Sequence, residues 1–220
     1  MPTGLNSLKL IIGYLTIVNH RYIDINPNSD DQALQSLESL YLTVRQAEIR
    51  DTSTAADILA DSFYSRTGFW RWIYPLFKRG IYEDLRMKVR SYTEHSICLV
   101  AVYTNNSQVE FVVGTVEMNL RFSTWHNSAE YLYISNLAVA KDYRRKGVAR
   151  ELLLKCERTA LKWGFSELYL HVMENNNGAK HLYRQLGYRT EHIIPSWSYY
   201  LFRQPRKLFL HKILSATSDI

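Results

Sequence analysis

"DYRRKGVARELL", residues 142–153, is the stretch from which the rest of this chain is read. Three successive cations, Arg144, Arg145 and Lys146, run into Gly147, and an amphipathic pattern begins there. Val148, Leu152, Cys156 and Ala160 recur at four-residue spacing, one face of a helix that stops at Gly164. Just upstream, "EYLYISNLAV" (130–139) reads as a buried strand. A strand thus leads through a short cationic turn to a helix N-terminus. The first four N–H groups of a helix lack internal partners, and the dipole there favours anions. Gly147 lets a ligand approach the backbone and small Ala149 keeps the first turn uncluttered, so the segment suits a pyrophosphate. No G-x-x-x-x-G-K-[ST] and no G-x-G-x-x-G is present, which disfavours nucleotide hydrolysis.

Outward from this stretch the pattern is regular. "YLTVRQAEI" predicts a strand, "DTSTAADILADSFY" a helix with Ala55, Ile58, Leu59 and Phe63 inward. "FWRWIYPLF" (69–77), broken by Pro75, predicts a loop or the start of a helix, and "KRGIYEDLRMKVRSYTE" a second helix carrying Ile81, Leu85 and Val89 on one face. Strands follow at "ICLVAVY", "EFVVGTVEMNL" and "EYLYISNLAV", then the 148–163 helix, a strand "ELYLHVM", a short helix "NNGAKHLYRQLG", and strands "YRTEHII" and "RKLFLHKIL". The order β-α-α-β-β-β-α-β-α-β-β predicts a mixed sheet with helices on its faces. Residues 1–38, with the turn-rich "DINPNSDDQALQS", read as an extension and linker ahead of a domain over 39–215.

Composition bounds the function. The 220 residues suit one domain with a single core, and a formal charge of +6 favours anionic partners. Cys98 and Cys156 lie far apart in apolar patterns and read as buried small hydrophobes. No CxxC, HExxH or EF-hand spacing occurs, so no metal is expected. "LKLIIGYLTIV" (8–18) is too short to span a bilayer. Without a cationic leader or an A-x-A site it does not read as a signal peptide. No nucleic-acid recognition motif accompanies the basic "RQPRKLFLHK".

A second segment, "HVMENNNGAKHLYRQLGYRTE" (171–191), sharpens the reading. "RRKGVA" together with Asn176, Ala179, Leu182, Tyr183, Gly187 and Tyr188 in an NxxAxxLYxxLGY pattern resembles the GCN5-related N-acetyltransferase (GNAT) family. The resemblance covers roughly 41–214. It implies an α+β GNAT fold: a mixed, mostly antiparallel sheet with a splayed strand pair and helices on both faces. It also implies acetyl-CoA as co-substrate. Pyrophosphate would bind at Arg144, Arg145, Lys146, Gly147, Val148, Ala149 and Arg150, and the pantetheine arm along Leu137, Ala138 and Val139. Asn176 and Ala179 match cofactor contacts. Tyr183 matches the tyrosine proposed to protonate the departing thiolate.

For the base, the resemblance points to the strand before the asparagine. There Leu168, Leu170 and Val172 share one face, leaving Tyr169 and His171 on the other. His171 is the candidate, with Glu130, Ser135 and Glu174 as weaker ones. The acceptor is read as a protein or peptide amine, with a small-molecule amine or a non-catalytic CoA-binding regulator as alternatives. An α-amine with pKa near ~8 is about 10% neutral at pH 7 and a lysine about 0.04%, a handicap of roughly 3 kcal/mol for lysine. The aromatics of "FWRWIYPLF" and "PSWSYY" (195–200) resemble groove-lining segments, with Tyr199 and Tyr200 as acceptor contacts. The stretch 69–103 also looks like a cyanobacterial and plastid branch acting on protein N-termini and lysines. The expected compartment is cytoplasmic, with the plastid stroma next, because the N-terminus lacks transit-peptide bias.

Overall fold

The computed structural model describes residues 41–63, 70–91, 93–105, 108–122, 130–194 and 205–215. The 1–38 extension, Tyr199 and Tyr200 lie outside the described residues. Seven strands form one sheet: β1 Tyr41–Gln46, β2 Ser96–Thr104, β3 Glu110–Phe122, β4 Glu130–Val139, β5 Glu167–Met173, β6 Arg189–Ile194 and β7 Lys207–Ile213. Their spatial order is β1-β2-β3-β4-β5-β7-β6. All neighbours are antiparallel except β4 and β5, which run parallel.

Helices cover both faces, because the strand periodicity of two sends alternate residues to opposite sides. On one face α1 (Thr52–Phe63) and α2 (Trp70–Arg90) bury Ala55, Ala56, Leu59 and Leu85 against Cys98, Val100 and Val102. On the other, α3 (Val148–Lys162) places Val148, Leu152, Cys156 and Ala160 on Leu99, Ala101, Val116 and Ile134. The short helix α4 (Asn177–Gln185) adds Tyr183 to that second core. Each fully buried leucine contributes about 1.5–3 kcal/mol from desolvation alone, so the α3 stripe anchors the helix whose N-terminus matters below.

Of the two readings of 69–77, the start of a helix is the one seen: α2 runs unbroken from Trp70 through Pro75 to Arg90, and Phe69 lies outside the described residues. The proline is exposed and lies in the second turn, so only one bond near the helix start is lost. Leu85, with Ile81 and Val89 beside it, seats the remainder on the sheet.

Two irregularities in β4 shape the molecule. Opposite β3, Thr115 faces Ala138 and Glu117 faces Ser135, so Val116 stands against both Asn136 and Leu137. This is a β-bulge, and Asn136 takes a positive φ of 53°. On its other side β4 pairs with β5 only from Leu132 to Ile134, against Leu168 to Leu170. Beyond that point the two strands part. The Ala140 amide bonds the Val113 carbonyl on the β3 side. By alternation, Leu137 and Val139 turn their peptide groups toward the gap.

Candidate active site

The gap between β4 and β5 opens into a groove of about 1040 Å³, lined by β4, β5, α4 and the N-terminus of α3. At its α3 end the chain turns through Arg145 and Gly147, both at positive φ (65° and 84°). Gly147 is the N-cap and supplies no side-chain cap, and the first helical bond runs from the Glu151 amide to the Gly147 carbonyl. The amides of Val148, Ala149 and Arg150 therefore lack intrahelical partners at the mouth of the groove. A Cβ on Gly114 of β3 would lie 3.0 Å from Val148 Cγ1 and 3.2 Å from Leu152 Cδ1. Gly114 is what lets this helix end seat against the sheet.

The basic residues divide in role. The Arg144 guanidinium donates through Nε to the Val139 carbonyl (3.0 Å) and through an η-nitrogen to Ser62 of α1 (3.3 Å). Its side chain ties the turn to β4 and α1 while facing the groove. Arg145 and Arg150 also line the groove, whereas Lys146 stands over the Tyr143 ring at 5.1 Å and does not. Leu137, Ala138, Val139, Gly147, Val148, Ala149, Asn176, Ala179 and Tyr183 all line it. Asn176 caps α4, its Oδ1 accepting from the Ala179 amide at 3.1 Å.

Tyr183 is buried, with its ring edge-on to Tyr188. Burial pushes its hydroxyl up to about 12, so it stays protonated throughout the neutral range. On the opposite side of the sheet, where Tyr131, Tyr133, Tyr169 and His171 point, the Tyr133 hydroxyl and His171 Nδ1 lie 2.6 Å apart. Burial, then the nearby Lys207, Arg121 and His192, push the imidazole down to about 4. Desolvation raises Tyr133, and the Arg121 guanidinium lies 3.6 Å from its ring centroid. Phe209 closes the pair from β7, 4.8 Å from His171 between ring centroids.

The other candidate bases fare differently. Glu174 is held by Arg206 in two hydrogen bonds of 2.6 and 2.9 Å, which lowers its pKa and occupies both oxygens. Glu130 is exposed at the start of β4 and does not line the groove, whereas Ser135 does. Within "FWRWIYPLF", Tyr74 donates to Asp61 of α1 and does not line the groove. Among the described residues no group of three or more histidine, cysteine or acidic side chains is placed to hold a metal.

Sequence reasoning passed over Tyr133, although its parity with Ser135 on β4 was readable. It also passed over Asn136, a residue disfavoured inside a strand, and Glu117, a lone carboxylate in an apolar run.

A splayed parallel pair within an otherwise antiparallel sheet, with an uncapped helix end at the mouth of the splay, makes an α+β fold with an anion-receptive groove. The profile of the acetyltransferase (GNAT) family matches residues 58–188, and the chain belongs to that family. GCN5-related N-acetyltransferase 10, chloroplastic, of Arabidopsis thaliana is 30% identical over 151 residues, 64% of this chain and 59% of that protein. GCN5-related N-acetyltransferase 7, chloroplastic, of the same plant is 38% identical over 78 residues, 36% of this chain and 28% of the relative. The aligned regions thus span less than two thirds of these relatives. Among solved structures, Arabidopsis thaliana NAA60 in complex with a bisubstrate analogue aligns with a TM-score of 0.56 at 17% identity, covering 79% of this chain and 99% of that one. An N-acetyltransferase from Thermoplasma acidophilum in complex with coenzyme A aligns with a TM-score of 0.57 at 18% identity, covering 78% and 98%. These similarities are of fold. No helix among the described residues is long and apolar enough to cross a membrane.

Proposed function

We propose that this protein is an acetyl-CoA-dependent N-acetyltransferase whose acceptor is a protein or peptide amine, an N-terminal α-amine ahead of a lysine. The observation that carries it is the groove between β4 and β5, with three unpartnered helix amides at one end and the Tyr133–His171 pair across the sheet. Acetyl-CoA fits these residues. The amides of Val148, Ala149 and Arg150 would receive its pyrophosphate, with Arg145 and Arg150 adding charge, and the gap-facing peptide groups of Leu137 and Val139 would hold its pantetheine arm. It supplies the activated acyl group as a thioester.

The chain's own residues handle the protons. The Tyr133 hydroxyl takes the proton of the attacking nitrogen as its own passes to His171 Nδ1, across the 2.6 Å contact. A neutral imidazole titrating at about 4 is a weak base toward a free ammonium. Transfer becomes favourable only as the nitrogen gains positive charge on bonding to carbon. On the other side, Tyr183 retains its proton until the departing sulfur needs it, because burial holds the phenol up at about 12. A thiol near ~8.5 is already a fair leaving group, so this acid assists more than it enables.

Lys207 and Arg121 press positive charge on the acceptor side. That field disfavours polycationic acceptors such as polyamines and supports an acceptor with a single amine near its neutral form. The chloroplastic names of the relatives support the plastid stroma over the cytoplasm as the compartment. Offering the purified protein acetyl-CoA with a library of peptides and a panel of small amines, and following coenzyme A release, tests the reading. Turnover on small amines alone rejects the peptide acceptor. Absence of acetyl-CoA binding at millimolar concentration rejects the enzyme.

A further inference from the structure

We propose that Glu117 is a positioning residue that holds the β4 bulge, and through it sets which peptide groups face the groove; the inference rests on the acyl-transfer reading above. Glu117 lies in β3, 1% exposed, on the face toward α1 and α2, and does not line the groove. Both carboxylate oxygens are occupied. Oε1 accepts from Asn136 Nδ2 at 2.9 Å, and Oε2 from Lys88 Nζ of α2 at 2.9 Å. Lys88 is steadied in turn by Asp84, one helical turn away, at 2.6 Å.

A buried ion pair contributes little more to stability than apolar residues of the same volume, so stability alone does not explain this one. Its geometry does. Asn136 is the residue at positive φ, and asparagine visits that region more readily than most residues but does not prefer it. The bond to Glu117 selects it. Were Asn136 to return to extended backbone, β4 would lose its extra residue and slip by one against β3. A slip of one residue exchanges the two sides of a strand. Leu137 and Val139 would then turn their peptide groups to β3, and the groove would lose the backbone that receives the acyl arm. Lys88 joins this lock to α2, so the helix that covers the acceptor side is anchored at the same carboxylate.

Three variants and two readouts test this. Glu117→Leu should lower kcat at least about tenfold and raise the KM for acetyl-CoA at least about fivefold, because the groove loses the peptide groups that receive the acyl arm. Glu117→Gln, which keeps an acceptor for the Asn136 amide, should restore most of the rate. In an Asn136→Gly background, where no side chain remains to be held, adding Glu117→Leu should cost less than about twofold further. Equal factors in both backgrounds would overturn the proposal, as would a Glu117→Gln variant as slow as Glu117→Leu. The second readout needs no acceptor. The amide–Hα coupling and Cβ shift of Asn136, measured by NMR, report the sign of φ in the wild type and in Glu117→Gln and Glu117→Leu. A positive φ retained in folded Glu117→Leu sinks the idea. A chain without transferase activity would defeat the proposed function while leaving this shift to decide the role of Glu117.

Discussion

The depressed His171 pKa has a consequence that a pH profile reads directly. An ordinary histidine base near ~6.5 falls from about 91% neutral at pH 7.5 to about 9% at pH 5.5. His171, held at about 4 by burial and by Lys207, Arg121 and His192, stays neutral across that interval. An acceptor α-amine at ~8 loses about 75-fold of its neutral form over the same two pH units. With His171 silent, kcat/KM for a peptide acceptor at saturating acetyl-CoA should therefore fall about 75-fold from pH 7.5 to 5.5, along a slope of one. With an ordinary histidine the fall would be about 750-fold, along a slope approaching two. The assay is coenzyme A release across the pH range, with His171→Gln and Tyr133→Phe alongside. Each substitution should cost about 100-fold in kcat, and the double variant little more, because the two side chains act as one relay. A second ionisation near 6.5 in the wild type that vanishes in His171→Gln would refute the neutral, buried imidazole. Undiminished transfer by Tyr133→Phe would refute the relay.

Further expectations concern the cofactor side. Tyr183→Phe should lower kcat roughly 10-fold to 100-fold while binding acetyl-CoA as the wild type does, by calorimetry, since only the proton donor is lost. Gly147→Ala puts a Cβ on a residue at φ 84°. The strain of about 1–2 kcal/mol should lower Tm by roughly 2–8 °C and weaken acetyl-CoA binding by calorimetry; unchanged affinity would argue against the amide cradle. Gly114→Val drives a side chain into Val148 and Leu152, so it should lower Tm and raise the KM for acetyl-CoA together, because it displaces the helix end that carries the cradle.

Most elements of this fold were legible along the chain. Strands 130–139 and 167–173 have the bounds their apolar runs imply, and α3 buries the four residues that its spacing selects. The uncapped start of α3 was legible for the same reason: strand, turn, glycine and helix start are consecutive, and a helix end is a local property. Pro75 left both a loop and a helix start open along the sequence, because a proline penalises a helix locally while the packing of Leu85, ten residues on, is tertiary.

The contacts across the sheet were decided by tertiary structure. Tyr133 and His171 are 38 residues apart and meet only because β4 and β5 pair in parallel before they separate. Glu117 reaches Asn136 only because one residue of β3 stands against two of β4, and Arg144 meets Ser62 across 82 residues. Periodicity and capping are written in neighbours and can be read one residue at a time. Register, bulge and splay are settled between strands distant in sequence, and they determine which side chains meet.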